Sequence, residues 1–200
     1  CDNKFTVKPI TDKIKVFYAG DLIPLKNVDI LIKAIHELSK RRNIVLSIVG
    51  DGSQKRKLLS YVKRNNLSDV VSFKGRLSRD EVLSCMESSD IFVMVSKPES
   101  FGMVYVEAMS KGCFVIGTKG EGIDGIIIDG NNGSLVNARD VGALVSCIEN
   151  YLQLPDEKKT AIREEAKKTA FDMTEKKVAQ KVLDDIEKIK HISSRGGRKK

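Results

Sequence analysis

Two hundred residues, 41% apolar and 31% charged, have the composition of a globular domain with length enough for a full core. No run approaches the roughly 18 apolar residues of a membrane span, the opening stretch CDNKFTVKPITD lacks a signal peptide's apolar region, and two histidines, His36 and His191, exclude a histidine-rich metal site. The net charge of +8 implies less than its size suggests, because Arg195, Arg198, Lys199 and Lys200 supply +4 of it in the tail SSRGGRKK. That tail, 193–200, has no apolar pattern and is expected to be disordered. No aromatic residues interleave with arginine to make a stacking platform for bases, so nucleic acid is not an expected partner. Cys1, Cys85, Cys113 and Cys147 are widely spaced and read as small buried residues of a reducing compartment.

In chain order, short apolar runs alternate with segments of helical period. Val16 to Ala19, Val45 to Val49, Val70 to Phe73, Ile91 to Val95 and Phe114 to Gly117 read as strands. Most are continuous rather than alternating, as strands buried on both faces of a parallel sheet are. Between the first two, Val28, Leu31, Ile32, Ile35 and Leu38 form one apolar stripe. Leu58, Leu59 and Val62 mark a second helix. Ser78 with Glu81 makes a capping box for a third, and the fourth starts near Gly102 and stops at Gly112. Asp129 to Gly133 reads as a turn, followed by helices over about 140–154, 156–170 (Pro155 at the break) and 174–191. The pattern predicts an α/β fold: a Rossmann-like, doubly wound parallel sheet with extra C-terminal helices.

In open parallel sheets, ligands bind beyond the carboxyl ends of the strands, near helix N-termini. Gly20-Asp21 follows the first strand, Gly50-Asp51-Gly52 the second, Gly75-Arg76 the third, Glu99-Ser100-Phe101-Gly102 the fourth and Gly120-Glu121-Gly122 the fifth. Together these loops outline a cleft. Gly120, Gly122 and Gly125 match G-x-G-x-x-G literally, but they follow the fifth strand and run into another turn instead of opening a long helix. A nicotinamide or flavin site is therefore not expected there. The stronger constellation is Glu99 and Glu107, the first in a strand's exit loop and the second a turn and a half inside the next helix. Free amides around Gly102, Met103 and Val104 would face an anion, and the two carboxylates would accept hydrogen bonds from flanking hydroxyls. Spacing by itself equally permits two ordinary helix glutamates.

At these residues the sequence resembles family 4 of the retaining glycosyltransferases, the group 1 enzymes of two-domain GT-B fold. The resemblance runs from about Val16 to Tyr151. It is carried by Ser89-Asp90-Ile91-Phe92-Val93, by Glu99-Ser100-Phe101-Gly102-Met103-Val104-Tyr105-Val106-Glu107-Ala108-Met109 and by Gly112-Cys113-Phe114-Val115-Ile116. Asp129-Gly130 and Gly133-Ser134-Leu135-Val136 fit the segment that follows.

The resemblance implies a donor-binding domain over 10–172 that holds a UDP- or GDP-sugar without a metal or other cofactor. Glu107 would bind ribose hydroxyls, Glu99 would face the donor sugar, the amides of Gly102 to Val104 would take the distal phosphate, and Ser100 and Phe101 would belong to the donor-binding set. Lys26 would neutralise the diphosphate, with Glu99 and Lys26 the catalytic pair. Gly75, Arg76 and Leu77, with Gly50 and Gly52, would border the base, and Gly20 and Asp21 would adjoin the phosphates. Two departures from the family pattern stand out. Gly20-Asp21-Leu22 replaces the usual Gly-Arg-Leu, a reversal of charge for which Lys97, Arg76 or Lys119 could compensate. Glu121-Gly122-Ile123-Asp124-Gly125 stands where many members have Gly-Gly-Ile-Pro-Glu, so a sugar-contacting role is not assigned to that loop.

The same resemblance places an acceptor domain before this one, so the chain is expected to be a cut piece of a larger enzyme, inactive in transfer by itself. The helix within 173–192 would cross back to that preceding domain. The whole enzyme would move a hexose with retention to a glycan or lipid-linked acceptor, in bacterial surface-polysaccharide synthesis. It would be cytoplasmic, with peripheral attachment to the inner face of the membrane an option. A non-catalytic nucleotide-sugar-binding module, suggested by Asp21, and a nucleotide-sugar epimerase are the competing readings.

Overall fold

A computed structural model of the chain describes residues 7–100 and 102–173. Phe101, the expected crossing helix and the basic tail lie outside the described residues. Within them, β1 (Ile14–Ala19), β2 (Ile44–Val49), β3 (Val71–Gly75), β4 (Ile91–Val93), β5 (Phe114–Thr118) and β6 (Ser134–Val136) form one parallel sheet. The helices are α1 (Val28–Ser39), α2 (Lys55–Arg64), α3 (Arg79–Glu87), α4 (Met103–Ser110), α5 (Val141–Gln153) and α6 (Asp156–Asp172). Strand order is β3-β2-β1-β4-β5-β6, so the winding reverses between β1 and β4. That is the doubly wound arrangement, and a crevice opens where the order reverses.

The expected elements form for the expected reasons. Phe17, Ile48, Phe92 and Val115 are fully buried, as continuous apolar runs covered on both faces require. Ser78 caps α3 reciprocally with Glu81, Asp140 caps α5 by accepting the Ala143 amide, and Gly112 ends α4 at φ +77°. Leu59, counted in the apolar stripe of α2, is instead exposed, and Leu58 and Val62 carry the packing. The ladder of β4 stops at Val93, although Met94 and Val95 stay buried as the chain turns toward the site. None of the described helices is long and apolar enough to cross a membrane.

Under the amino end of the sheet, the guanidinium of Arg163 on α6 is 2% exposed. Its Nε donates to the Gly112 carbonyl at 2.6 Å and its Nη1 to the Lys8 carbonyl at 2.7 Å. Asp90, also buried, accepts the Lys15 amide at 2.8 Å and lies 3.9 Å from the Lys8 ammonium. Together they fasten the segment before β1 to α6 and to the turn between α4 and β5.

Candidate active site

Three loops leave the carboxyl ends of β1, β2 and β3 side by side, because backbone pairing continues past the strands. Gly20 donates to Val49, Leu22 to Asp51 and Gly50 to Gly75. This pairing sets Asp21, Asp51 and Arg76 in neighbouring positions along one wall. The opposite wall is made by the loop from β4 to α4.

Two further bonds join these walls. The side chain of buried Asn27 donates to the Val95 carbonyl at 2.8 Å, and the Lys97 amide donates to the Leu25 carbonyl at 2.8 Å. Lys26, between Leu25 and Asn27, is thereby carried to Glu99: its Nζ donates to Glu99 Oε2 at 2.6 Å, and Ser96 Oγ donates to the same oxygen at 2.8 Å. The two heads are largely shielded, with side chains 21% and 11% exposed. Burial pushes the Glu99 carboxyl up, but the bonds from Lys26 and Ser96, the lysine charge and the Ser100 amide outweigh it. The carboxyl is held below its ordinary value, so it stays ionised at neutral pH.

α4 begins directly behind this pair. Gly102, at φ +67° and ψ 60°, is its N-cap, and a Cβ there would lie 2.5 Å from the Tyr105 ring. Only glycine meets both conditions. The Tyr105 hydroxyl in turn donates to the Met94 carbonyl, fixing the helix to the end of β4. The amides of Met103 and Val104, in the first turn, have no partner within the helix and carry its positive dipole end.

The resulting cavity, about 510 Å³, is lined by Gly20, Asp21, Lys26, Gly50, Asp51, Arg76, Leu77, Glu99, Gly102, Met103 and Val104, with Ala19, Val49, Val82 and Met94 as its apolar lining. Gly52, Gly75, Ser100 and Glu107 stand outside that wall. Gly52 packs on the Leu22 backbone, and Ser100 is an exposed rim residue. Glu107 lies on the face of α4 below Met103 and Val104 and is held by Arg79, whose Nη2 is 2.9 Å from Glu107 Oε1.

Of the three cations considered as counterparts to Asp21, Arg76 shares its cavity. Lys97 lies 3.8 Å from Glu121, and Lys119 lines a different hollow. That hollow, about 620 Å³, is the larger of the two. It lies along the β6 edge between α5 and α6, away from the reversal of the sheet and from the Lys26–Glu99 pair, so the smaller cavity is the candidate site.

Ser96 and Arg79 carry no local signal in the sequence, Asp51 stands there only as part of the second cleft loop, and nothing in the sequence marks Glu121 as a brace. The Glu121 carboxylate accepts the Glu99 amide at 2.7 Å, and the Gly122 amide donates to the Glu99 carbonyl at 2.9 Å. Gly120 and Gly125 sit in turns at φ +76° and +96°, with no helix opening from them, as expected of a fortuitous G-x-G-x-x-G match. Among the described residues no group of three or more His, Cys, Asp or Glu is arranged to hold a metal ion. Burial pushes the Cys113 thiol up to about 12 and that of Cys147 to about 11, so neither is a nucleophile at neutral pH.

The sequence profile of the family described as glycosyl transferases, group 1, matches residues 2–169. This chain belongs to that family. Its relatives include the uncharacterized glycosyltransferase MJ1178 of Methanocaldococcus jannaschii, 36% identical over 143 residues, which are 72% of this chain and 39% of that protein. The D-inositol 3-phosphate glycosyltransferase of Streptomyces coelicolor is 30% identical over 155 residues, 72% of this chain and 34% of that one. The group 1 domain thus spans well under half the length of these relatives. In structure it is similar to Anabaena HepE in complex with UDP-glucose, with TM-score 0.77 and 26% identity, over 88% of this chain and 49% of that one. The C-terminal domain of LpcC from Francisella tularensis shares the fold, with TM-score 0.74 and 23% identity, over 82% of this chain and 87% of that one. The Rossmann-like sheet is that of a GT-B glycosyltransferase domain.

Proposed function

We propose that this domain binds the nucleoside-diphosphate sugar of a retaining hexosyltransferase and that an acceptor domain elsewhere in the whole protein completes the reaction. The observation that carries the reading is the Lys26–Glu99 pair set against the opening of α4. An ammonium and two free amides converge where a diphosphate would sit, and a carboxylate stands beside them for the sugar hydroxyls. Lys26 and the amides of Met103 and Val104 would stabilise the negative charge that collects on the departing diphosphate, the task a divalent metal performs elsewhere. Glu107 would accept the ribose hydroxyls, and Arg76 and Leu77 would border the base. The UDP seen in Anabaena HepE favours UDP over GDP as the donor's nucleotide. The glycan or lipid-linked acceptor, the surface-polysaccharide role and a cytoplasmic, membrane-peripheral location belong to the same proposal and rest on the family alone.

Calorimetry with UDP- and GDP-sugars, beside a turnover assay, tests this. The isolated chain is expected to bind one of them weakly and transfer nothing; robust transfer by this chain alone would sink the division of labour. In the whole enzyme, Glu107→Ala is expected to weaken donor binding and slow transfer. Undiminished transfer would instead favour a non-catalytic module.

Asp21 gives a second test. It lines the same cavity as Lys26 and Arg76, and its negative charge opposes that of a diphosphate. Asp21→Asn is expected to tighten nucleotide binding about fivefold at low salt, with less gain at higher salt, the scale of one partly screened charge pair. Weaker binding in the variant would mean that Asp21 faces a hydroxyl instead.

A further inference from the structure

Arg79, the partner of Glu107, has so far been given no part in the donor site. Arg79 is the first residue of α3, and its backbone is held by the reciprocal Ser78–Glu81 cap. Val82, one turn further along α3, lines the cavity, as do Met103 and Val104, one turn before Glu107 on α4. The pair therefore bridges two helices on the faces that flank the site. Both guanidinium contacts, from Nε at 3.1 Å and Nη2 at 2.9 Å, fall on Oε1 of Glu107, and among the described residues Oε2 accepts no hydrogen bond. The exposures are unequal: the Glu107 side chain is 22% exposed and that of Arg79 76%. An ion pair so open to water adds little to stability. What it does is fix the direction of a carboxylate at the edge of a polar cleft.

We propose that Arg79 is a positioning residue of the donor site. It grips one oxygen of Glu107 so that the other is presented, in a set orientation, to the vicinal hydroxyls of the donor ribose. The inference rests on the reading of Glu107 as the ribose acceptor. A carboxylate already bonded on one side by a guanidinium loses less freedom when it accepts a hydroxyl on the other. Arg79 itself touches no reacting atom.

Calorimetry on the 200-residue chain tests this with UDP, GDP and the 2′,3′-dideoxy form of whichever binds more tightly. Arg79→Ala is expected to weaken binding of the ribonucleotide about fivefold, part of the worth of one charge-assisted hydrogen bond. It should leave binding of the dideoxy form unchanged and leave Tm within about a degree, as a surface pair implies. Arg79→Lys should recover part of the affinity, and Arg79→Ala combined with Glu107→Ala should bind no more weakly than Glu107→Ala alone. Wild-type affinity in Arg79→Ala, with Glu107→Ala weakened, overturns the role of Arg79 and spares the ribose reading. Equal weakening toward the ribo and dideoxy forms overturns it too, because Arg79 would then act on phosphate or base directly. An unaffected Glu107→Ala, or no nucleotide bound at all, overturns both.

Discussion

Replacing Lys26 by alanine in the whole enzyme is expected to lower transfer about 10²–10³-fold, the usual cost of removing one preorganised charge from a developing anion. The effect should fall mainly on kcat, because the ammonium matters most when charge accumulates on the leaving diphosphate. Lys26→Arg keeps the charge on a broader head and should recover part of the rate. Lys26→Ala also removes the strongest of the contacts that keep Glu99 ionised against its burial. A carboxyl whose value is depressed by folding contributes stability above its unfolded value, and that contribution disappears as pH falls through the folded value. Without Lys26 the folded value rises toward the unfolded one, so Lys26→Ala should be less stable than wild type near neutral pH, and the gap should close as pH falls. Rates of nucleotide release and a series of Tm values between about pH 3 and 7 check both halves. Unchanged turnover would remove Lys26 from the reaction.

Arg163→Ala is expected to be the most damaging substitution for stability. It strands the buried carbonyl of Gly112 and the part-buried carbonyl of Lys8, which now receive short charge-assisted bonds, and it opens a void beneath the sheet. The two losses together amount to about 3–5 kcal/mol. Arg163→Met preserves most of the volume and should cost less, about 2–3 kcal/mol, because only the bonds are lost. Denaturant unfolding of the chain measures both. Equal stability of wild type and Arg163→Met would show that packing, not the two hydrogen bonds, is what Arg163 contributes.

Much of the fold was legible because its signals are local. Val45 to Val49 and Ile91 to Val95 announce buried strands by unbroken apolar character, and Ser78 with Glu81 announces a helix start by two side chains three residues apart. β6 was legible only as a family segment. Ser134, Leu135 and Val136 are too few to show a period, and they become a strand through pairing with Ile116, Gly117 and Thr118. The site divides the same way. Its glycines and carboxylates stand out along the chain, whereas Lys26 meets Glu99 across 73 positions and Arg79 meets Glu107 across 28. Such meetings depend on which loops the sheet order brings together and on how α3 packs against α4. Family resemblance supplied Lys26 and the role of Glu107. It could supply neither Arg79 nor the finding that Arg76 shares the cavity with Asp21.

The loop after β5 has one more consequence. A Cβ on Gly122 would lie 1.7 Å from the Ser100 carbonyl oxygen, so the two backbones are in direct contact there. Glu121 meanwhile holds the Glu99 amide and Gly122 donates to the Glu99 carbonyl. With both sides of the Glu99 backbone gripped, a change in the fifth loop is expected to carry the fourth with it. The end of the cleft nearest Glu99 is therefore cast by residues that never reach the cavity. Reshaping it for a different donor means redrawing the 120–125 turn first, with Glu99 following wherever that turn sets it.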